Sequence, residues 1–118
     1  MLLGHIAVSL GSSTLSVAVT PTDGFTEEVG ADSGTTTGLL TALATGGISP
    51  YTYAWTDEGG LELQPLGIAD AADDDTALTW SGLSEVGAVG GINARVTATD
   101  SVGSTAYRYV TVIVSRTS

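Results

Sequence analysis

The segment that most limits the fold is Gly46–Thr56, GGISPYTYAWT. Two glycines and a proline mark a turn, and an alternating aromatic run follows at once. Tyr51, Tyr53 and Trp55 stand two residues apart, so in an extended chain they project from one face. Trp55 is one of two tryptophans. It sits mid-strand, where a two-sheet core takes its largest side chain. The remaining chain reads as short strands that wrap around this aromatic column.

At 118 residues the chain is expected to form one domain with one core. Charged residues make up only 14%, lysine is absent, and Thr, Ser, Gly, Ala and Val dominate. That balance favours an all-β domain with a polar, largely uncharged surface over a helical bundle. The net charge is −10, and Arg95, Arg108 and Arg116 are the three basic residues. Such a field repels phosphate backbones and anionic headgroups, which argues against nucleic acid and membrane surfaces as partners. It leaves room for a basic or neutral protein. With no cysteine, disulfides and thiolate metal sites are excluded. The opening MLLGHIAVSLGSS has no basic start, and Gly4 and His5 break its apolar run. The expectation is therefore a chain made in a cytoplasm and not exported by the ordinary route.

Taken in order, Leu15, Val17 and Val19 alternate with Ser16, Ala18 and Thr20 as a first half-buried strand ending at Pro21. Residues 21–34 are turn-rich and acidic and read as a long loop. Thr35–Thr45 reads as a second strand. Helix is the competing reading for its LLTALA core, and the flanking threonines decide for strand. Gly38 inside it marks a bulge or a close approach. After the aromatic strand, Leu61-Glu62-Leu63 reads as a short edge strand ending at Pro65, 66–75 as an acidic loop, Thr76–Trp80 as a strand and Ser84–Gly91 as loop. Ile92–Thr99 sets Ile92, Ala94, Val96 and Ala98 against Asn93, Arg95, Thr97 and Thr99. Asp100–Gly103 supplies hairpin-turn residues. Thr105–Ser115 follows, with Ala106, Val110, Val112 and Val114 in phase. About seven strands at this spacing predict a β-sandwich. The predicted core is Trp55, Tyr53, Val96, Ala98, Val110, Val112 and Val114.

Three segments together resemble a known pattern: GGISPYTYAWT at 46–56, ARVTATDSVGST at 94–105 and YVTVIVS at 109–115. The chain looks like the immunoglobulin-like domains of the polycystic-kidney-disease (PKD) type, especially those of tailed-phage virion proteins. In that family the aromatic strand supplies the core tryptophan, here Trp55, and a V-T-A-T-D-x-x-G hairpin joins the last two strands, here Val96–Gly103. The resemblance covers roughly residues 13–115. Two features depart from it. The name-giving W-x-F-G-D-G turn is replaced by Trp55-Thr56-Asp57-Glu58-Gly59-Gly60, and the antibody-type disulfide is absent. The expected architecture is an all-β, immunoglobulin-like (PKD-type) sandwich over residues 13–118. Residues 1–12 are then an N-terminal arm or first edge strand.

No residue pattern points to catalysis. His5 is the sole histidine, lies near a terminus and has no G-x-S-x-G elbow to serve. Asp70, Asp73, Asp74 and Asp75 are the residue type that binds Ca²⁺, but they lack the EF-hand spacing and read as a solvated loop. No metal and no cofactor are therefore expected. Tyr107 and Tyr109 are in phase with each other and out of phase with Val110–Val114, so they are exposed-face candidates for partner contact, set against simple cross-strand packing. Leu2, Leu3, Ile6, Val8 and Leu10 make an apolar stretch on a polar protein. It is either an ordinary first strand or a docking arm that orders on a partner.

The phage resemblance implies a non-enzymatic virion protein that assembles in the host cytoplasm. The form expected is a head decoration protein held on the major capsid protein, or on another virion protein, through the arm or a sheet edge. Self-association is compatible with this. The alternative is a tail- or surface-associated adhesion module that binds host carbohydrate weakly and in many copies.

Overall fold

A computed structural model describes residues 14–59, 61 and 63–118. Eleven extended segments follow one another: β1 (Ser16–Thr20), β2 (Gly24–Val29), β3 (Gly34–Thr35), β4 (Leu40–Thr45), β5 (Thr52–Asp57), β6 (Gln64–Pro65), β7 (Gly67–Ile68), β8 (Asp75–Thr76), β9 (Leu78–Trp80), β10 (Val89–Thr99) and β11 (Thr105–Arg116). Seven of them are three residues or longer. One sheet has the order β2-β11-β10-β5, with β6 paired to the start of β10. The facing layer comprises β1-β4-β8 and β3-β9-β7.

The alternating segments form strands because each buries one face. Val17 and Val19 of β1, Leu40, Ala42 and Ala44 of β4, Trp55 of β5, and Ile92, Ala94, Val96 and Ala98 of β10 meet Val110, Val112 and Val114 of β11 in one core. Trp55 is 3% exposed, and its indole N–H donates to the Asp73 carbonyl at 2.7 Å. Tyr53 is half-buried at the core margin, and its hydroxyl accepts the Ala44 N–H at 3.0 Å.

Several expectations change. The 21–34 loop contains β2 and β3. β2 runs parallel to β11, from Gly24 opposite Thr111 to Val29 opposite Arg116. Its acidic residues hid it, yet Glu27 is bound in place. Its carboxylate accepts the N–H groups of Thr37 and Gly38, each at 2.9 Å. The 35–45 strand is divided, and Gly38 lies outside both parts; a Cβ there would stand 3.1 Å from the Phe25 ring. Close approach, not a bulge, accounts for that glycine. Of the edge strand expected to end at Pro65, Gln64 and Pro65 form β6 and pair with Gly90 and Gly91, while Glu62 lies outside the described residues. The Ser84–Gly91 loop ends early, because β10 already starts at Val89. A Cβ on Gly90 or Gly91 would stand 2.9 Å from the side chains of Leu66 or of Leu61 and Leu63.

The 66–75 segment also carries short strands, β7 and the start of β8, and acts as a strap. Ala71 accepts the Trp55 backbone N–H at 2.8 Å, and Asp74 accepts that of Ala42 at 2.7 Å. One segment thereby ties both layers through its carbonyls.

The β10–β11 connection has five residues, since Thr99 pairs with Thr105. Asp100, buried at its start, accepts N–H bonds from Ile48 at 3.1 Å, Val102 at 3.1 Å and Ser104 at 2.9 Å. Burial alone would raise its pKa. The backbone N–H groups of Ile48, Ser104, Val102 and Gly103 outweigh that and hold it below the ordinary value of 3.8. Because the folded value is the lower one, this stabilisation is complete above about pH 3.8 and disappears as pH falls through the folded pKa. Asp100→Asn should therefore have a lower urea midpoint than the parent at neutral pH. The gap should narrow as pH falls below 3.8 and through the lower folded pKa. A pH-independent gap would show that the carboxylate charge contributes nothing.

Candidate functional site: the outer face of the β5–β10–β11 sheet

The register of the long strands assembles one exposed face. Thr56, Arg95 and Tyr109 form one cross-strand row, and Ala54, Thr97 and Tyr107 the next. Tyr107 is 59% exposed and Tyr109 54%. Their rings meet edge to face, with centroids 5.5 Å apart and planes at 79°. The Arg95 guanidinium carbon lies 5.5 Å from the Tyr107 centroid, in cation–π range. Glu58 Oε2 stands 3.9 Å from Arg95 Nε. That nitrogen is buried without a hydrogen-bond partner among the described residues.

The sequence placed Tyr107 and Tyr109 on an exposed face, and there they stand. It did not bring Arg95 to them. The parity of Arg95 within Ile92–Thr99 was visible, but its partner depends on the turn length. A four-residue turn sets Arg95 opposite Arg108; the actual five-residue turn sets it opposite Tyr109. Of the three arginines, Arg116 is committed elsewhere, bonding Asp32 and, at 2.8 Å, the Leu83 carbonyl. Arg95 thus marks the tyrosine face of an otherwise acidic domain, while Arg108 alternates to the opposite face of β11.

Other candidates gain no chemistry from the fold. Leu2, Leu3, His5, Ile6, Val8 and Leu10 lie outside the described residues. Among the described residues no three His, Asp or Glu side chains converge as a metal site, the Asp70–Asp75 segment included. A cleft of about 300 Å³ opens at the hairpin end between Thr14, Leu15, Ile48, Val102 and Thr105. Its one ionisable group, Asp100, is already taken up by backbone N–H groups.

The sequence matches no family model and no curated protein. Among solved structures it resembles the PKD domain from KIAA 1837 protein, with a TM-score of 0.50 and 17% identity over 92% of each chain. It also resembles a nucleoside hydrolase-related hypothetical protein from Saccharophagus degradans, described as associated with carbohydrate metabolism. There the TM-score is 0.54 and the identity 17%, over 89% of this chain. The match spans 26% of that protein's length. At such identities the likeness speaks for the fold alone. It agrees with the two-layer topology built around Trp55: the chain has the PKD-type, immunoglobulin-like β-sandwich fold.

Proposed function

We propose that this chain is a non-enzymatic structural protein of a phage virion, a head decoration protein seated on the major capsid protein. The observation that carries the docking role is the exposed Tyr107–Tyr109 pair with Arg95 on the outer face of the β5–β10–β11 sheet. Tyrosine and arginine are the residues that anchor protein interfaces, and a preformed sheet loses little entropy on docking. The virion assignment is supported by the resemblance of the aromatic strand and the Val96–Gly103 hairpin to phage immunoglobulin-like domains. Its mechanism is burial of this face against the shell while the acidic remainder meets solvent. In this reading assembly takes place in the host cytoplasm.

The test is quantitative mass spectrometry of purified particles. Copy number comparable to the major capsid protein is expected; absence from particles overturns the reading. Tyr107→Ala/Tyr109→Ala should reduce occupancy roughly tenfold or more. Because both side chains are exposed, the melting temperature should change by only about a few degrees. Undiminished occupancy would move the docking face elsewhere.

The same tyrosines favour a second reading, a weak carbohydrate-binding adhesion module acting through many copies. One of the structural neighbours is itself described as associated with carbohydrate metabolism. Millimolar glycan binding by the isolated protein, lost in the double tyrosine variant, would select it.

A further inference from the structure

We propose that two copies of this chain associate weakly through the outer face of the β5–β10–β11 sheet, related by a twofold axis that crosses the strands at the Asn93–Thr111 row.

That face has two ends of different chemistry. On one side of the Asn93–Thr111 row stand Arg95 and Tyr109, with Tyr107 beyond them. On the other side the outward surface is aliphatic. Gly91 lies opposite Ile113, and the methyls of Leu61, Leu63 and Ile113 converge to 2.9, 2.9 and 3.0 Å from where a Gly91 Cβ would stand. Leu63 is 38% exposed, and Leu61 and Ile113 are half-buried. Gly91 thus lets a second, partly exposed apolar cluster form on the face that carries the tyrosines. The row between the two ends has its polar groups matched. Thr111 Oγ1 donates to Asn93 Oδ1 at 2.8 Å, and Asn93 Nδ2 donates to the Gly59 carbonyl at 2.9 Å. Covering that row therefore gives up little hydrogen bonding with water.

Spacing and charge identify a second copy as the occupant. Tyr109 and Ile113 each lie two positions from Thr111, and Arg95 and Gly91 each two positions from Asn93. A twofold axis at that row lays Arg95–Tyr109 of one copy on Gly91–Ile113 of the other, and the reverse, so each tyrosine end meets an aliphatic end. From the Thr99–Thr105 row to the Gly91–Ile113 row, the outward residues of β10 and β11 carry one charge, that of Arg95. Glu58 Oε2 lies 3.9 Å from its Nε. The face is therefore close to neutral in a chain of net charge −10. The exposed aspartates of the 70–75 strap sit beyond the β5 edge, which Ala71 fastens through the Trp55 N–H. Copies of so acidic a chain repel each other least where this face meets its like.

The contact is small for a specific interface, so a dissociation constant of about 0.1–1 mM is expected. Its salt dependence has a definite sign. Salt screens the long-range repulsion between two acidic copies, so association should tighten roughly threefold between about 20 and 200 mM salt. A contact held by opposite charges would loosen instead. The association belongs to the free chain and stands independently of the virion reading. Where that reading holds, a second copy and the shell compete for the same tyrosines.

Sedimentation equilibrium of the full chain, from about 0.02 to 1 mM protein and at both salt concentrations, tests this. A monomer–dimer equilibrium is expected, tighter at the higher salt. Leu63→Asp should keep the chain monomeric throughout. Leu43→Asp makes the same change at a leucine that is 62% exposed on the β1–β4 layer, and it should associate nearly as the parent does. Near-ultraviolet circular dichroism establishes that each variant is folded. NMR of the unsubstituted chain gives a readout that needs no variant: Tyr109 and Ile113 signals should shift with concentration, and Leu43 signals should not. A parent that stays monomeric to about 1 mM at both salts would overturn the proposal. So would association that loosens with salt, undiminished association of Leu63→Asp, or concentration shifts confined to Leu43. Growth past the dimer would overturn it too, because a closed twofold contact ends at two copies. Absence of the protein from particles would leave these outcomes unchanged.

Discussion

Trp55→Ala is expected to lose about 3–5 kcal/mol of stability, enough to lower the melting temperature by roughly 10–20 °C in a domain of this size. Three losses combine. The largest side chain in the core disappears from a site that is 3% exposed. Val96, its cross-strand partner on β10, belongs to the long β10–β11 ladder, so the cavity cannot collapse fully. The Asp73 carbonyl, which accepts the indole N–H at 2.7 Å, loses its partner. That bond also fastens the 70–75 strap to β5, so the strap should loosen with it. Trp55→Phe narrows the comparison, since much of the packing remains while the N–H is removed together with part of the ring. It should cost about 1–2 kcal/mol. Urea denaturation checks both variants, with Trp80 as the remaining fluorophore in each. The midpoint should fall while the slope stays constant. A loss below about 1 kcal/mol in the alanine variant would mean that the core is not organised around this residue.

Gly24→Ala should be comparably damaging for a different reason. Gly24 has φ +89°, and a Cβ there would lie 1.8 Å from the Thr111 carbonyl oxygen and 2.7 Å from its carbon. Both are backbone atoms of β11, fixed by the continuous pairing of that strand with β10. The added methyl cannot be accommodated by a rotamer change, so the start of β2 must leave the sheet. The expected cost is roughly 2–5 kcal/mol from strain and overpacking. Amide exchange should accelerate selectively along Phe25–Val29. Gly103→Ala is the control: its φ of +92° is equally left-handed, but a Cβ there meets nothing within 4 Å. It should cost only about 1 kcal/mol. Equal losses at the two positions would attribute the effect to backbone conformation and exclude the clash with β11.

The contrast between these glycines marks how far sequence reasoning reaches. Both stand in turn-rich segments and look alike on paper. Only the passage of Thr111 past Gly24, 87 positions earlier in the chain, makes one of them irreplaceable. Glu27 teaches the same lesson. An acidic pair in a loop-like stretch argues for solvent, yet Glu27 accepts three hydrogen bonds from Thr37 and one from Gly38. The exposed tyrosine face was legible in part. The phase of Tyr107 and Tyr109 against Val110, Val112 and Val114 gave their exposure, whereas Arg95 joined them through a single residue of turn length.

The sequence by itself determined the strands whose two faces see different solvents: β1, β5, β10 and β11, the core stripe along each, and Trp55 at the centre. Side-chain period reports burial directly, so a half-buried antiparallel strand carries its own signature. Tertiary structure alone decided what backbone groups do at a distance. It decided the parallel seat of β2 on β11, the strap made by the carbonyls of Ala71, Asp73 and Asp74, and the meeting of Arg95 with Tyr107. Every residue carries the same N–H and C=O, so their pairing leaves no mark on composition or period; it is settled only when packing fixes which edges come within reach.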